Sequence, residues 1–147
     1  MNKNRIETTH HHTFESIRQE ENGYEFWRAR KLSKLLEYYE YRNFLPVIQK
    51  AKEACINSGH NIVDHFVDIH EMVEIGSKTK RQISDIKSSR YACYSIVQNA
   101  DPEKPIIANG QTYFAIQMRR QELLQEAAFQ NLEEDEKRFF KKRDSHS

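Results

Sequence analysis

Seven consecutive residues, from Tyr91 to Val97, predict a helix with almost no polar face. They read Tyr-Ala-Cys-Tyr-Ser-Ile-Val, so whichever face turns inward, the opposite face also needs cover. A helix that is covered on all sides lies at the middle of a domain. Ser88 or Ser89 can cap its first amides, and Pro102 stops it, because the residue before a proline avoids the helical region.

A second helix is predicted to begin near Pro105, since proline is tolerated in a first helical turn. Its inward side repeats at steps of 4, 3 and 3 residues through Ile106, Gly110, Tyr113 and Ile116. A glycine inside a helix costs about 1 kcal/mol relative to alanine, which indicates that Gly110 is present to allow close packing. We therefore expect this helix to cross the preceding one at Gly110 and the pair to form the centre of the fold.

Strands are predicted in two places. The first is a hairpin centred on the Asn-Gly pair at Asn22. A mixed run, Thr13 to Gln19, precedes this pair and an aromatic run that ends at Trp27 follows it, which is a strong hairpin signal. Further along, both strand and helix are compatible with the apolar residues between His60 and Gly76. We prefer a short helix or turn from Val63 to Phe66 and strand character from Val67 to Ile75.

Apolar residues at helical spacing predict two more helices between these strands. The first begins after Arg28 and turns Ala29, Leu32, Leu35, Leu36 and Tyr39 inward. The second begins at Tyr41 or Arg42, turns Phe44, Ile48, Ala51 and Cys55 inward, and ends at Ser58-Gly59. The predicted fold class is α+β, with an N-terminal β-hairpin and a small antiparallel sheet packed with several helices and a long C-terminal helical segment.

Opposite charges nearly balance over the 147 residues, with 23 Lys and Arg against 22 Asp and Glu. Net charge therefore gives no reason to expect nucleic-acid binding, and only local clusters could do so. Cys55 and Cys93 lack the spacing of zinc ligands, which predicts two buried thiols in a reducing cytoplasm. No apolar run approaches the roughly 20 residues of a membrane span, so we expect a cytoplasmic protein with no membrane partner.

Clusters of cations define a candidate DNA-binding surface. Five cations lie between Lys78 and Arg90, opposed only by Asp85, and a loop or hairpin of this composition suits contact with DNA phosphates. The cations of the first two helices could equally form an ordinary solvated face. Arg42, at the turn between two helices, is our first choice for a base reader. The predicted DNA-binding residues are Arg30, Lys31, Lys34, Arg42, Lys78, Lys80, Arg81, Lys87, Arg90, Arg119 and Arg120.

Potential metal ligands are present but badly spaced. The best candidates are His60, Asp64, His65, Asp68, His70 and Glu71, and neither a helix nor a strand brings three of them to one side. The His10-His11-His12 triplet has no scaffold around it. The Asp85-Ile86-Lys87 triplet resembles the end of many nuclease motifs but has no partner carboxylate. We expect no metal, no cofactor and no enzymatic activity, with a nuclease as a distant alternative.

The carboxyl-terminal residues predict a helix whose charges separate by sign. Four acidic residues begin at Glu133, and Lys137 and Arg138 begin the basic part, an order that suits the helix dipole. Phe139 and Phe140 stand among these charges and need cover. Either they pack on the core, or with Leu132 they contact a second copy in a two-fold dimer or another protein.

Three ordered blocks of the sequence resemble the DNA-damage-inducible protein D family. They are RYACYSIVQNADPEKPIIANGQTYFAIQMRRQEL, EYRNFLPVIQKAKEACINSGHNIVDHF and NLEEDEKRFF. The amino-terminal half of that family resembles the Bro-N domain of viral and phage proteins. The resemblance implies a DNA-associated regulatory module of bacterial damage response or phage regulation, with a module that modulates a repair or recombination protein as the alternative. We accordingly divide the chain into a flexible N-terminus (1–12), a Bro-N-like domain (13–130) and a charged C-terminal helix and tail (131–147).

Overall fold

The computed structural model describes residues 14–144, with side chains described as far as Phe139. The predicted flexible terminus and its histidine triplet, and the side chain of Phe140, lie outside this description. The chain forms two compact units, one up to Tyr113 and one from Phe114 onward, and each is described by itself. Every helix among the described residues is too short or too polar to span a bilayer.

A hairpin opens the first unit, as predicted. Strands β1 (Gln19–Glu21) and β2 (Tyr24–Arg28) pair antiparallel, and both residues between them, Asn22 and Gly23, take positive φ values of 54° and 83°. That combination defines the hairpin turn that Asn-Gly favours. The predicted first strand, Thr13 to Gln19, is wrong except at its last residue. Residues 14–16 are helical, β1 begins only at Gln19, and Thr13 lies outside the described residues. This turn of helix lays Phe14 flat on Trp27, with ring centroids 4.5 Å apart, and Trp27 Nε1 donates a hydrogen bond to the Phe14 carbonyl.

A second and longer hairpin completes an antiparallel sheet of order β1-β2-β4-β3. Strands β3 (Phe66–Glu74) and β4 (Lys80–Ser88) pair along their whole length, whereas β2 pairs with β4 only at two positions next to Ser88. The predicted strand over this segment is confirmed to within a residue. Since β3 and β4 continue past the end of β2, their far end extends beyond the rest of the sheet.

Besides the helical turn at residues 14–16, the described part of the chain has five helices: α1 (Ala29–Leu35), α2 (Tyr41–Asn57), α3 (Ile62–His65), α4 (Arg90–Gln98) and α5 (Pro105–Asp144). The four inward residues predicted for α2 are all buried. The predicted inward position of Tyr39 is wrong, because its side chain is 78% exposed. Helix α1 ends at Leu35, and Glu37 then takes a positive φ of 64°, so the helical spacing does not continue to Tyr39.

Helix α4 occupies the centre of the first unit, as its sequence predicts. Five of its residues, Ala92, Cys93, Ser95, Ile96 and Val97, are buried. Ser89 caps the helix by accepting a hydrogen bond from the Ala92 amide at 3.0 Å, and Ser95 Oγ donates to the Ala51 carbonyl of α2.

The start of α5 is buried beside this centre. Gly110 is buried as predicted, but Ile107 rather than Ile106 is fully enclosed, and Gln111 Nε2 donates to the Val97 carbonyl at 3.1 Å. Cys55 and Cys93 are both buried, and burial raises the pKa of both thiols, so neither is a ready nucleophile.

Candidate nucleic-acid interface

The far end of the β3–β4 hairpin carries three of the predicted DNA-binding residues. We call residues 75–82 the hairpin tip. Lys78, Lys80 and Arg81 are exposed there, and none of them makes an ion pair with any described residue. The tip sequence contains no carboxylate. Ile75, at the start of the turn, is 50% exposed, and its amide donates to the Thr79 carbonyl at 2.8 Å. The hairpin tip is therefore a positively charged turn that a backbone hydrogen bond closes, and it exposes one apolar side chain to solvent.

Arg90 lies where the sheet meets helix α4, and its charge is used within the fold. Its guanidinium contacts the Glu25 carboxylate at 2.9 Å and the Glu15 carboxylate at 2.8 Å, and it covers the Trp27 ring at 4.9 Å. Hydrogen bonding from Arg90, aided by Arg18, lowers the pKa of the Glu25 carboxyl to about 2, against an opposing effect of burial. The hydrogen bonds that Arg90 donates to Glu25 correspondingly raise the pKa of Arg90.

Lys87 is held in a similar way. Its Nζ lies 2.8 Å from the Glu21 carboxylate, which joins β4 to the end of β1, and 4.8 Å from the centre of the Phe26 ring. We call this group of Glu15, Glu21, Glu25, Lys87 and Arg90 the sheet root. Two predicted DNA-binding residues thus belong to an ion-pair network between distant parts of the chain.

The predicted residues of the first two helices differ in what they contact. Arg30 is half-buried, donates from Nε to the Ser84 carbonyl at 2.7 Å, and stacks on Tyr41 with 4.2 Å between guanidinium carbon and ring centre. Burial, with a smaller contribution from Asp85, raises the pKa of Tyr41 to about 12. Lys31 and Lys34 are exposed and make no ion pair with a described residue. Arg42 is largely exposed and contacts only its near neighbour Glu40 through Nε at 2.7 Å.

A cleft of about 460 Å³ lies between helix α2 and the β3–β4 hairpin. Its lining includes Arg30, Arg42 and a third cation, Lys52, which sequence reasoning missed. No helical spacing pointed to Lys52, because the 10 residues from Arg42 to Lys52 make about 2.8 turns and leave the two side chains about 80° apart around α2. The structure brings these three cations together, whereas it places Lys78, Lys80 and Arg81 at the tip.

Asp85, the acidic residue of the nuclease-like triplet, has a structural task. Its Oδ1 accepts hydrogen bonds from the amides of Arg30 and Ile86, at 3.1 and 2.8 Å. The first of these satisfies an amide in the opening turn of α1, whose own N-cap residue supplies no side-chain bond. Within residues 14–144, no three His, Cys, Asp or Glu side chains are grouped as a metal site. His60 and His65 instead pack around Tyr91, and His65 Nδ1 lies 2.7 Å from Ser89 Oγ.

The second unit carries the remaining predicted residues. Arg119 pairs with Glu122 at 3.2 Å, and Arg120 is exposed. The predicted partner-contact residues Leu132 and Phe139 are 63% and 62% exposed, and Leu124 and Phe129 are exposed to a similar extent. This part of α5 therefore presents several large apolar side chains to solvent.

Comparison with known proteins gives a long match. The chain is 62% identical over 132 residues to DNA damage-inducible protein D of Escherichia coli (strain K12), a match that covers 89% of this chain and 48% of that protein. The chain thus spans about half the length of the curated relative that it matches. No family model matches it, and no solved structure does. The resemblance to the DNA-damage-inducible protein D family is therefore confirmed.

Proposed function

We propose that this relative of DNA damage-inducible protein D is a non-enzymatic, DNA-associated regulatory module that acts in the bacterial DNA-damage response or in phage regulation. The name of the relative supports the damage-response role. The observation that carries DNA association is the hairpin tip, where Lys78, Lys80 and Arg81 are exposed, unpaired among the described residues and held on a closed β-ribbon. The proposal keeps the predicted likeness to Bro-N domains.

In this proposal the cations of the tip and of helix α1 bind phosphates, and the sheet root holds the hairpin in position. A two-stranded ribbon fits the major groove of duplex DNA, and lysine and arginine contacts to phosphates fix its register without reading sequence. Arg42 is the proposed base reader, since its side chain is 80% exposed and its ion pair with the exposed Glu40 is weak enough for a ligand to replace. Arg90 and Lys87 act through the fold, because their charges are already paired.

A salt titration tests this proposal directly. Binding of duplex and single-stranded oligonucleotides is measured by filter retention from about 50 to 200 mM salt, where a protein that neutralises about six phosphates loses on the order of a thousandfold in affinity. A steep, linear dependence of log affinity on log salt is expected. Absent binding, or binding that does not change with salt, would overturn the DNA role of this chain.

The non-enzymatic part of the proposal rests on Asp85. One of its carboxylate oxygens, Oδ1, accepts hydrogen bonds from two backbone amides, and the other lies 3.9 Å from Arg28, which favours a structural role for Asp85. Incubation with labelled plasmid and oligonucleotides in magnesium or manganese should leave the DNA intact. Metal-dependent cleavage that Asp85→Asn abolishes would instead support the nuclease alternative.

A second candidate is an interaction module that acts through the second unit. The exposure of Leu132 and Phe139 favours it, because large apolar side chains in solvent often mark protein contacts. The partner would be a second copy of the chain or a repair or recombination protein. Solution mass measured by light scattering should fall to that of a monomer in a Phe139→Ser, Phe140→Ser variant if the contact is a homodimer, and DNA binding by the tip should persist.

A further inference from the structure

The cleft between helix α2 and the β3–β4 hairpin combines three cations with an aromatic ring and a small apolar wall. We propose that it binds the terminal phosphate of a nucleotide, and so receives the end of a DNA strand. The inference rests on the proposed function for the identity of that ligand as DNA. Its volume of about 460 Å³ is within the range of pockets that enclose small ligands.

Arg30 is oriented for phosphate binding before any ligand arrives. Its Nε donates to the Ser84 carbonyl and its guanidinium stacks on Tyr41, so its plane is fixed from two sides. Its two terminal nitrogens make no hydrogen bond to any described residue and remain available as a fork. A guanidinium fork held in one plane matches two phosphate oxygens, and little side-chain entropy is lost on binding.

Two more cations face the same space from helix α2. Lys52 is half-buried, with its Nζ 5.9 Å from the centre of the Phe66 ring, and the exposed Arg42 pairs with Glu40 at 2.7 Å. Leu45 and Ile86 add apolar surface to the lining, against which a sugar or base can pack. Cations together with apolar surface suit a nucleotide better than they suit a simple anion.

The carboxylates of the cleft decide which phosphate it prefers. Asp85 is satisfied by two amides, and Arg28 lies 3.9 Å from its other oxygen, so it contributes little free charge. Asp68 is exposed at the rim and opposes an anion. A terminal phosphate carries up to two charges and can enter a concave site, whereas the backbone of a continuous duplex carries one charge per phosphate and lies outside it. The geometry therefore favours strand ends.

Binding of deoxyadenosine 5′-monophosphate, deoxyadenosine and inorganic phosphate to the whole chain, followed by NMR chemical shifts or calorimetry, tests the inference. The nucleotide should bind at least about tenfold more tightly than either fragment, because each fragment lacks half of the contacts. Lys52→Gln should weaken nucleotide binding about tenfold through loss of a charge-assisted contact. Lys50→Gln, on the same helix but outside the cleft, is the matched control and should change nothing.

Asp68→Asn should act in the opposite direction, since removal of a repelling carboxylate at the rim tightens nucleotide binding by about two- to fivefold. The inference would be overturned if nucleotide and inorganic phosphate bound equally well, or if Lys52→Gln and Lys50→Gln had equal effects. Salt-dependent duplex binding through the tip would not be affected by either result. If Lys52→Gln weakens nucleotide binding but duplex binding does not depend on salt, the cleft remains a nucleotide site and the proposed DNA role is overturned.

Discussion

The sheet root and the hairpin tip stand at opposite ends of strand β4 and use the same residue types for different purposes. At the root, Arg90 and Lys87 pair with glutamates and lie over aromatic rings, so their charges are neutralised locally. At the tip, Lys78, Lys80 and Arg81 make no ion pair with a described residue, although Glu74 is the cross-strand neighbour of Lys80. A cation between two carboxylates stabilises the fold, whereas a cation alone in solvent on a rigid ribbon is available to a ligand.

A local run of positive charge is therefore not a binding site in itself. The segment from Lys78 to Arg90 looks uniform in the sequence, yet the partners of its second half lie far away in the chain. Glu25 precedes Arg90 by 65 residues, and Glu21 precedes Lys87 by 66. Only the folded sheet sorts these cations into structural and available ones.

The largest effect is expected from the tip. Replacement of Lys78, Lys80 and Arg81 by glutamine should lower affinity for duplex DNA by on the order of 100-fold near 50 mM salt, because three phosphate contacts and their counterion release are lost. The slope of log affinity against log salt should fall by about three. A Lys50→Gln, Lys137→Gln, Arg138→Gln variant matches the charge change and should keep both values. Equal losses in the two variants would mean that binding is diffuse.

At the root, Arg90→Ala should lower the free energy of unfolding by about 2 kcal/mol, since Glu15 loses its partner, Glu25 keeps only Arg18, and Trp27 loses its cover. Urea unfolding followed by circular dichroism measures this. Arg81→Ala at the tip serves as the control and should stay within about 0.5 kcal/mol of the parent. If both substitutions destabilise alike, the distinction between root and tip fails.

The pH dependence of stability should come partly from the root. Because the folded pKa of Glu25 lies at about 2, below its ordinary value of 4.5, its carboxylate stabilises the fold above pH 4.5 and this contribution is lost as the pH falls toward 2. After allowance for solvent screening at a partly exposed site, about 1–2 kcal/mol should disappear in this window. Glu25→Gln should flatten that part of the profile in acid titrations of the unfolding midpoint. An unchanged profile would exclude Glu25 as its origin.

The smallest effect is expected from Lys87→Gln. Loss of the contacts with Glu21 and Phe26 should cost about 0.5–1 kcal/mol of stability, because the pair is partly exposed. Duplex affinity should change by less than about threefold, since the charge of Lys87 is already paired. If Lys87→Gln lowered duplex affinity as much as the tip variant does, Lys87 would have to contact DNA directly.

Local patterns allowed much of the fold to be predicted. The Asn22-Gly23 turn, the inward residues of α2 and the enclosed helix α4 each depend on neighbours within a few residues, and all three are present. The errors arose where a single backbone conformation or a distant contact intervened. Glu37 adopts a positive φ that ends the helical spacing before Tyr39, and Phe14 is drawn into a helical turn that covers Trp27.

The candidate site was less predictable. Lysine and arginine positions could be read from the sequence, but their partners could not, because pairing across the sheet follows from strand register. The cleft illustrates the same limit, since Ser84 and Asp85 meet Arg30 only after β4 lies against helix α1. The spacing of Arg42 and Lys52 gave no local signal for that site, because ten residues do not bring two side chains to one face of a helix.

Trp27 is the only tryptophan of the chain, and it is fully enclosed where the root is assembled. Its indole is stacked on the Phe14 ring, and the Arg90 guanidinium lies near both rings, 4.9 Å from that of Trp27 and 5.9 Å from that of Phe14. The intrinsic tryptophan fluorescence of this protein therefore reports on the sheet root alone and needs no label. A red shift of the emission maximum reports exposure of Trp27 to water, whereas ligand binding at the hairpin tip should leave the emission maximum unchanged.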